Sequence, residues 1–357
     1  GMKGDVVILT ATSGDTGKAA MEGFHDVPGT RIIVFYPYGG VSAVQQAQMA
    51  TQTGGNVKVC AVRGNFDDAQ TGVKAIFADC QGKDLHGAML SSANSINIGR
   101  LAPQVVYYFR AYGDLVRAGR IRLGDKVDFA VPTGNFGDIL AGWFAKCMGL
   151  PVGRLVCASN ANDVLTEFLR TGRYDRRRPF YKTTSPSMDI LVSSNLERLL
   201  YLLSGDAAYV ASLMAQLSEQ GWYQVSDELL AKLQESFGCG CCDDAGAARV
   251  IGELWREEKY LCDPHTAVAW AVAQEQTGDA PMVVLSTASP YKFPAAVLGA
   301  LGEDTGDDEF AMMEKLHDIT GAAIPANLRG LEGRPVLHKD VIDKTAMEDY
   351  VLAEVLK

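Results

Sequence analysis

Long apolar runs are absent from this chain of 357 residues, although 47% of its residues are hydrophobic. A helix that spans a membrane needs about 20 consecutive apolar residues, and no stretch approaches that length. The first residues also lack the charged, apolar and small-residue pattern of a signal peptide. The sequence therefore predicts a cytoplasmic protein, and its length allows about two domains with sizeable cores.

An excess of positive charge is missing as well. The chain has 33 Lys and Arg against 43 Asp and Glu, a formal net charge of -10. Nucleic acids and anionic membranes both require dense positive charge in the protein that binds them. This composition excludes both as the main partner. A solvated loop and an anion site explain the most basic stretch, residues 171–187, about equally well.

Cysteine and histidine pairs at zinc-like spacing are not found. Of the eight cysteines, only Cys239, Cys241 and Cys242 are clustered, and no second thiol or imidazole pair follows them. We interpret the cysteines as free thiols in a reducing compartment and the cluster as an exposed turn before a helix. The sequence therefore predicts no metal site.

Short β-branched runs alternate with stretches of helical period. The predicted strands are residues 5–10, 31–36, 57–62, 127–131, 154–158 and 281–286. The predicted helices include residues 42–53, 67–80, 101–118, 138–148 and 163–170. This alternation is typical of parallel βα units and indicates an α/β fold with open, doubly wound sheets.

The chain is predicted to form two domains. A smaller α/β domain covers residues 1–98, and a larger one covers residues 99–357 with a helical insertion at about 188–278, where strand signals thin out. The boundary lies in a polar, glycine-containing stretch near residues 95–100. That stretch is either an ordinary interdomain loop or a hinge that also contributes groups to a ligand site.

Ligands of doubly wound sheets bind where strands end and helices begin, and three such junctions carry unusual residues. The first has the sequence TSGDTG at residues 12–17. Its small residues, hydroxyls and exposed N–H groups can hold a carboxylate or a phosphate. A nucleotide P-loop is disfavoured, because Gly17-Lys18 is followed by Ala19 rather than by Ser or Thr.

The other two junctions leave alternatives open. PTGNFGD at residues 132–138 is either a turn whose N–H groups meet a phosphate or an ordinary turn. In STASP at residues 286–290, Thr287 either presents its hydroxyl to a cleft or caps a helix. Together with Asn97 and Arg100, the three junctions predict a cleft for a ligand with several anionic groups.

The motifs resemble those of a known family. ATSGDTGKAA, FYPYGGVSAVQQAQM, SSANSINIGRLAPQ, PTGNFGDILAG, SPSMDI and STASPYKF occur in the order and approximate spacing of threonine synthase. The resemblance extends from about residue 5 to residues 335–338. It implies a pyridoxal-phosphate-dependent enzyme of fold type II, with the two sheet domains of the tryptophan-synthase-β-like fold. The implied reaction converts O-phospho-L-homoserine and water to L-threonine and phosphate.

The resemblance also implies roles for individual residues. Those that would hold the cofactor are Gly134, Asn135, Phe136, Gly137 and Asp138 around its phosphate, and Thr287 at its pyridine nitrogen. Those that would hold the substrate are Thr12, Ser13, Gly14, Asp15 and Thr16 at its carboxylate, and Asn97 and Arg100 at its phosphate.

One expected motif is missing. The family's Schiff-base lysine lies in a Phe-Lys-Asp motif upstream of the Ser-Gly-Asp-Thr-Gly loop, and no Phe-Lys-Asp occurs in these 357 residues. Lys18 and Lys292 are poor substitutes, because the lysine must reach the cofactor in a buried site with a depressed pKa. We therefore assign no catalytic residue, and we expect a threonine synthase from which the N-terminal, lysine-bearing domain is missing.

Two further positions bear on the family assignment. Ser289 stands where many relatives carry His, which puts a proton-transfer role of such a histidine in doubt. His265 matches a family position at a helix start, and we interpret it as a structural residue. The alternatives to threonine synthase are a noncatalytic module that binds an amino acid or phosphate, and another β-family enzyme such as a serine/threonine dehydratase.

The missing motif generates a prediction about turnover. We expect the 357-residue polypeptide alone to release no phosphate from O-phospho-L-homoserine, because no suitably placed lysine is available to the cofactor. A phosphate-release assay measures this directly. Turnover above a control without enzyme would contradict the prediction.

Overall fold

The computed structural model describes residues 5–80, 83, 85 and 87–355. The strands in these ranges are β1 Val6–Ala11, β2 Thr30–Pro37, β3 Val57–Arg63, β4 Met89–Ser92, β5 Val127–Pro132, β6 Val152–Ser159, β7 Arg173–Asp175, β8 Trp222–Gln224, β9 Phe237–Cys241, β10 Met282–Val284 and β11 Asp340–Asp343. All six predicted runs are strands, with ends that shift by up to two residues.

The α-helices lie between these strands and cover their faces. They are α1 Asp15–Phe24, α2 Ala43–Ala50, α3 Phe66–Asp79, α4 Ile98–Leu101, α5 Val105–Arg117, α6 Gly137–Cys147, α7 Val164–Thr171, α8 Leu196–Ser204, α9 Ala207–Glu219, α10 Asp227–Ser236, α11 Asp244–Glu258, α12 Pro264–Gln274, α13 Pro294–Ala300, α14 Glu309–Thr320 and α15 Met347–Val355. In the described part of the chain, no helix is both long and apolar enough to cross a membrane.

Two compact units divide the described residues. The first unit holds the residues before Ile98 and those from Gly306 onward, and the second unit holds Ile98 to Thr305. The first unit contains a five-stranded parallel sheet in the order β11-β3-β2-β1-β4. Alternate residues of β1 enter two cores, one against α3 and α15 and one against α1 and α2. The sheet is thus buried on both faces, as parallel sheets usually are.

The C-terminal residues differ from the sequence-based domain assignment, which placed them in the larger domain. β11 pairs in parallel with β3, from Asp340 opposite Cys60 to Asp343 opposite Arg63. Met347 of α15 is buried in the core of the first unit. The sequence did not reveal that the C-terminal residues pack in the first unit, because β11 is a short edge strand with an acidic residue at each end.

The second unit is built on a four-stranded parallel sheet in the order β10-β5-β6-β9. Its core includes aromatic side chains between this sheet and the surrounding helices. The rings of Tyr108 and Phe129 meet edge to face with centroids 5.0 Å apart. Tyr174 and Tyr223 stack at 5.2 Å on the small antiparallel sheet of β7 and β8. Such packing orients rings in addition to burying them.

The predicted helical insertion at 188–278 contains α8 to α12, but it also contains β8 and the sheet strand β9. The sequence of β9 is FGCGC, without a β-branched residue. A Cβ on Gly240 would stand 2.7 Å from Val272 of α12, so the glycine admits this helix close to the sheet. Cys239 and Cys241, which the sequence placed in an exposed turn, are strand residues, and Cys242 lies in the short connection between β9 and α11.

The packing of α6 generates a stability prediction. A Cβ on Gly142 would stand 2.6 Å from the ring of Tyr108 and 2.8 Å from Leu155. Gly142→Ala should therefore lower the free energy of unfolding by about 1–3 kcal/mol through overpacking. Urea unfolding of the purified variant measures the change.

Gly113→Ala is the matched control, since Gly113 is also helical and a Cβ there would meet nothing within 4 Å. It should leave stability unchanged or raise it by up to about 1 kcal/mol. Equal effects of the two substitutions would show that the packing around Gly142 is not tight.

Candidate functional site

The turn between β5 and α6 leaves a row of backbone N–H groups unpaired. Within the described residues, no hydrogen-bond acceptor meets the N–H groups of residues 134–139. Phe136 adopts the left-handed conformation at the start of α6, with φ 59°, and its ring is buried. Unpaired N–H groups at a helix N-terminus bind anions, because they donate hydrogen bonds and carry partial positive charge.

Neighbouring side chains hold this turn in place. The amide of Asn195, which is fully buried, donates to the carbonyl of Asn135 at 2.8 Å. The hydroxyl of Ser194 lies 3.1 Å from Oδ1 of Asn135. The sequence motifs did not point to either residue, because the hydrogen bonds join positions about 60 residues apart.

Gly134 brings a second segment against the turn. A Cβ at this position would stand 3.0 Å from the carbonyl oxygen of Ser187 and 3.2 Å from Cα of Met188. Any side chain here would press on that backbone, so glycine allows the close approach. Residues 187–188 belong to the SPSMDI motif, for which the sequence predicted no role.

Asp138 takes part in the turn through its backbone, and its carboxyl points to Tyr108. The Tyr108 hydroxyl lies 2.8 Å from the carbonyl oxygen of Asp138 and 3.1 Å from its Oδ1. Burial raises the pKa of Asp138 to about 6, although the bond from Tyr108 acts in the opposite direction. An ionised carboxyl would repel a phosphate, so only the N–H of Asp138 suits the predicted role.

Thr287 lies at the same edge of the same sheet. β10 and β5 are parallel neighbours, with Val284 opposite Ala130, and Leu285 donates its N–H to Ala130 at 3.0 Å. Thr287 follows in the next loop, exposed, and its hydroxyl has no partner in the described ranges. The second and third predicted junctions therefore belong to adjacent strands of one unit.

The first junction lies in the first unit, between β1 and α1. Oγ1 of Thr12, which is buried, accepts the N–H groups of Gly14 and Gly17, each at 2.9 Å. Its hydroxyl oxygen thus shapes the loop. Ser13 and Thr16 keep both their N–H groups and their hydroxyls without a partner among the residues that the structure describes. These two residues offer donors to a carboxylate.

Residues outside the loop support it. Gln45 of α2 is buried, packs against Gly14 and donates to Oδ1 of Asp15 at 3.1 Å. The side chain of Asn94 exchanges hydrogen bonds with the N–H and the carbonyl of Ala11, at 2.9 and 2.6 Å. Asn94 thereby extends the pairing of β1 with β4 up to the loop. The sequence pointed to neither role, since both depend on distant partners.

The two residues predicted to bind the substrate phosphate lie on either side of the unit boundary. Asn97 belongs to the first unit, where its amide donates to the Ser92 carbonyl at 2.8 Å. Arg100 belongs to α4 of the second unit and is half-buried. Its guanidinium forms no ion pair with any described residue. Both assignments stay predictions.

Comparisons with known proteins identify the family. The family model described as "Pyridoxal-phosphate dependent enzyme" matches residues 1–288, and the model described as "Threonine synthase, C-terminal" matches residues 266–351. A crystal structure of pyridoxal-phosphate-bound threonine synthase from Brucella melitensis matches with a TM-score of 0.84 and 40% identity, over 99% of this chain and 72% of that one. The chain belongs to the threonine synthase family.

Two curated proteins are also similar to this chain in sequence. Threonine synthase from Pseudomonas aeruginosa is 45% identical over 82% of this chain and 61% of its own length. Human threonine synthase-like 1 is 39% identical over 98% of this chain and 47% of its own length. The chain thus spans about half the length of the human relative.

The comparisons confirm the mixed α/β architecture of fold type II and pyridoxal phosphate as the cofactor of this threonine synthase family. The residues of the second unit fit that cofactor: the unpaired N–H groups of residues 134–139 suit a phosphate, and the hydroxyl of Thr287, in the loop after the neighbouring strand, suits a ring nitrogen. In the part of the chain that the structure describes, no three His, Cys, Asp or Glu side chains gather as metal ligands would.

Asp138 generates a prediction about pH. Its raised pKa, about 6, means that the fold favours the protonated carboxyl, so this contribution to stability is lost as the pH rises through about 4 to 6. Asp138→Asn keeps an acceptor for Tyr108 and does not titrate. The variant should gain stability relative to the wild type by about 1 kcal/mol or more between pH 4 and pH 7. Urea unfolding across this pH range measures it.

Asp114→Asn provides a control of opposite sign. Hydrogen bonds and charge from Arg110 and Arg117 lower the pKa of Asp114, chiefly through the bond from Arg110. Because a lowered pKa places the gain in stability below the unfolded value of about 4, that variant should lose a little stability relative to the wild type as the pH rises to about 4, and should keep a constant difference from it between pH 4 and pH 7. Parallel pH profiles for the wild type and Asp138→Asn would contradict a raised pKa at Asp138.

Proposed function

We propose that this chain binds pyridoxal phosphate and O-phospho-L-homoserine as part of an enzyme that forms L-threonine and phosphate. The observation that carries the proposal is the row of unpaired N–H groups at residues 134–139, after the strand adjacent to the one that leads to Thr287, in a chain of the threonine synthase family. Sequence similarity to threonine synthases supports the choice of substrate.

The second unit would hold the cofactor. The N–H groups of Gly134, Asn135, Phe136, Gly137 and Asp138 would donate to its phosphate, which the partial positive charge of the α6 N-terminus also attracts. The Thr287 hydroxyl would hydrogen-bond the pyridine nitrogen. Anchoring both ends of the cofactor fixes its orientation. When bound, the cofactor supplies an electron sink for the substrate's carbanion.

The first unit would hold the amino-acid end of the substrate. Ser13 and Thr16 each offer an N–H and a hydroxyl, and Thr12 and Gly14 keep the loop open for them. These groups suit a carboxylate, which accepts several hydrogen bonds at once. Asn97 of this unit and Arg100 of the second unit are proposed to bind the substrate phosphate, Arg100 through a two-pronged contact of its guanidinium.

No residue of the chain is proposed as the lysine that links the cofactor. The ammonium of Lys18 donates to Glu22 at 2.7 Å and contacts Gln52, so it is engaged at the surface of α1. The proposed role of these 357 residues is therefore binding and orientation of cofactor and substrate. A cytoplasmic location stays a prediction.

Titration calorimetry with pyridoxine 5′-phosphate and pyridoxine tests the cofactor assignment. Neither compound carries an aldehyde, so reaction with surface lysines does not interfere. The phosphate ester should bind at least about tenfold more tightly, since charge-assisted hydrogen bonds to a phosphate are strong. Equal affinities would contradict a phosphate site in the second unit.

Thr287→Val tests the other end of the cofactor in the same experiment. Loss of one hydrogen bond to the ring should weaken both compounds by about fivefold, which leaves their ratio unchanged. Thr305→Val is the matched control, because Thr305 is an exposed threonine of the same unit whose hydroxyl meets no hydrogen-bond partner among the described residues. Equal behaviour of the two variants would remove Thr287 from the proposed site.

A further inference from the structure

His265, near the start of α12, is almost completely buried and uses both of its ring nitrogens. Nδ1 lies 2.8 Å from Oδ1 of Asp263, which is also buried. Burial raises the pKa of Asp263, but hydrogen bonds from His265 and Thr266 outweigh it and leave this pKa below the usual value. Asp263 is therefore a carboxylate and accepts the proton on Nδ1, which leaves Nε2 as an acceptor.

Nε2 of His265 accepts the backbone N–H of Ser187, with 3.3 Å between the nitrogens. Ser187 is the residue whose carbonyl oxygen would stand 3.0 Å from a Cβ on Gly134. An uninterrupted series of contacts thus leads from Asp263 through His265 and Ser187 to the first residue of the phosphate-binding turn.

Other buried groups hold the ends of the same segment. The amide of Asn160 donates to Oγ of Ser185 at 3.0 Å and to Oδ1 of Asp189 at 2.8 Å. Phe293 packs on the His265 ring with centroids 5.0 Å apart. The middle of the segment, at Ser187, has its N–H bonded to His265 alone in the described ranges.

We propose that His265 is a positioning residue for the cofactor phosphate, because it holds the backbone of Ser187 against Gly134 and so fixes the turn that presents the N–H groups. The inference rests on the proposed function of that turn. His265 is not a catalytic residue, since Asp263 and Ser187 occupy its two nitrogens. His265 thus contacts residues of two family motifs, Ser187 of SPSMDI and Phe293 of STASPYKF.

His265→Gln and His265→Met form a matched pair of variants. Glutamine can place its amide oxygen near the position of Nε2 and accept the Ser187 N–H. The methionine side chain is as long as that of glutamine, but it has no oxygen that could accept the Ser187 N–H. Both lose the hydrogen bond to Asp263, so both should lower the melting temperature by similar amounts. A merely structural role would therefore make the two variants equivalent in binding as well.

Calorimetry with pyridoxine 5′-phosphate should separate the two variants. We expect the Gln variant to bind the ester within about threefold of the wild type and the Met variant to bind it about tenfold more weakly, because the Ser187 backbone is no longer held in place when its N–H loses the acceptor on residue 265. Binding of pyridoxine, which has no phosphate, should change equally in both. Equal ester affinities of the two variants would overturn the positioning role.

Two controls keep the inference separate from the proposed function. A wild-type protein that does not distinguish the ester from pyridoxine would refute the phosphate site itself, whatever the variants do. Long-range ¹H–¹⁵N NMR of the wild type reports the His265 tautomer. This measurement does not depend on whether the His265 variants fold. A proton on Nδ1 with Nε2 unprotonated is expected, and the opposite tautomer would overturn the inference.

Discussion

The site depends on one constraint: six consecutive backbone N–H groups before and within the first turn of α6 have no acceptor among the described residues. Every α-helix leaves its first N–H groups without a partner inside the helix, but here the unpaired row reaches back to Gly134, which requires a local backbone that is held open. Here the left-handed Phe136, the amide of Asn195 and the contact of Gly134 with residues 187–188 hold it.

In both units, buried polar side chains hold the backbone around the candidate ligand loops through hydrogen bonds. In the first unit, Thr12 accepts two N–H groups of its own loop, and Asn94 pairs with the main chain of β1. In the second unit, Asn195 and His265 bond to the turn and to its supporting segment. Each bond pairs a buried polar side chain with the backbone of a candidate ligand loop or of a segment next to it, so the same contacts contribute to stability and to the orientation of the loop.

The sequence predicted most of the strands because their buried, β-branched runs carry a local signal, as in β1, β2 and β3. It missed β9, whose glycines and cysteines fit the sheet only because α12 packs against them. It also missed β11, which becomes a strand through its partner β3. Pairing across many residues leaves little trace in local composition.

The sequence by itself determined the family and the cofactor and predicted three candidate ligand loops, because glycines, hydroxyls and helix starts at strand ends are local features. Only the tertiary structure decided which groups hold those loops. It showed that the oxygen of Thr12 is used inside its loop, that the carboxyl of Asp138 faces Tyr108, and that His265 reaches Ser187. These contacts join residues distant in sequence or depend on the direction of a side chain, and neither is encoded in a local pattern.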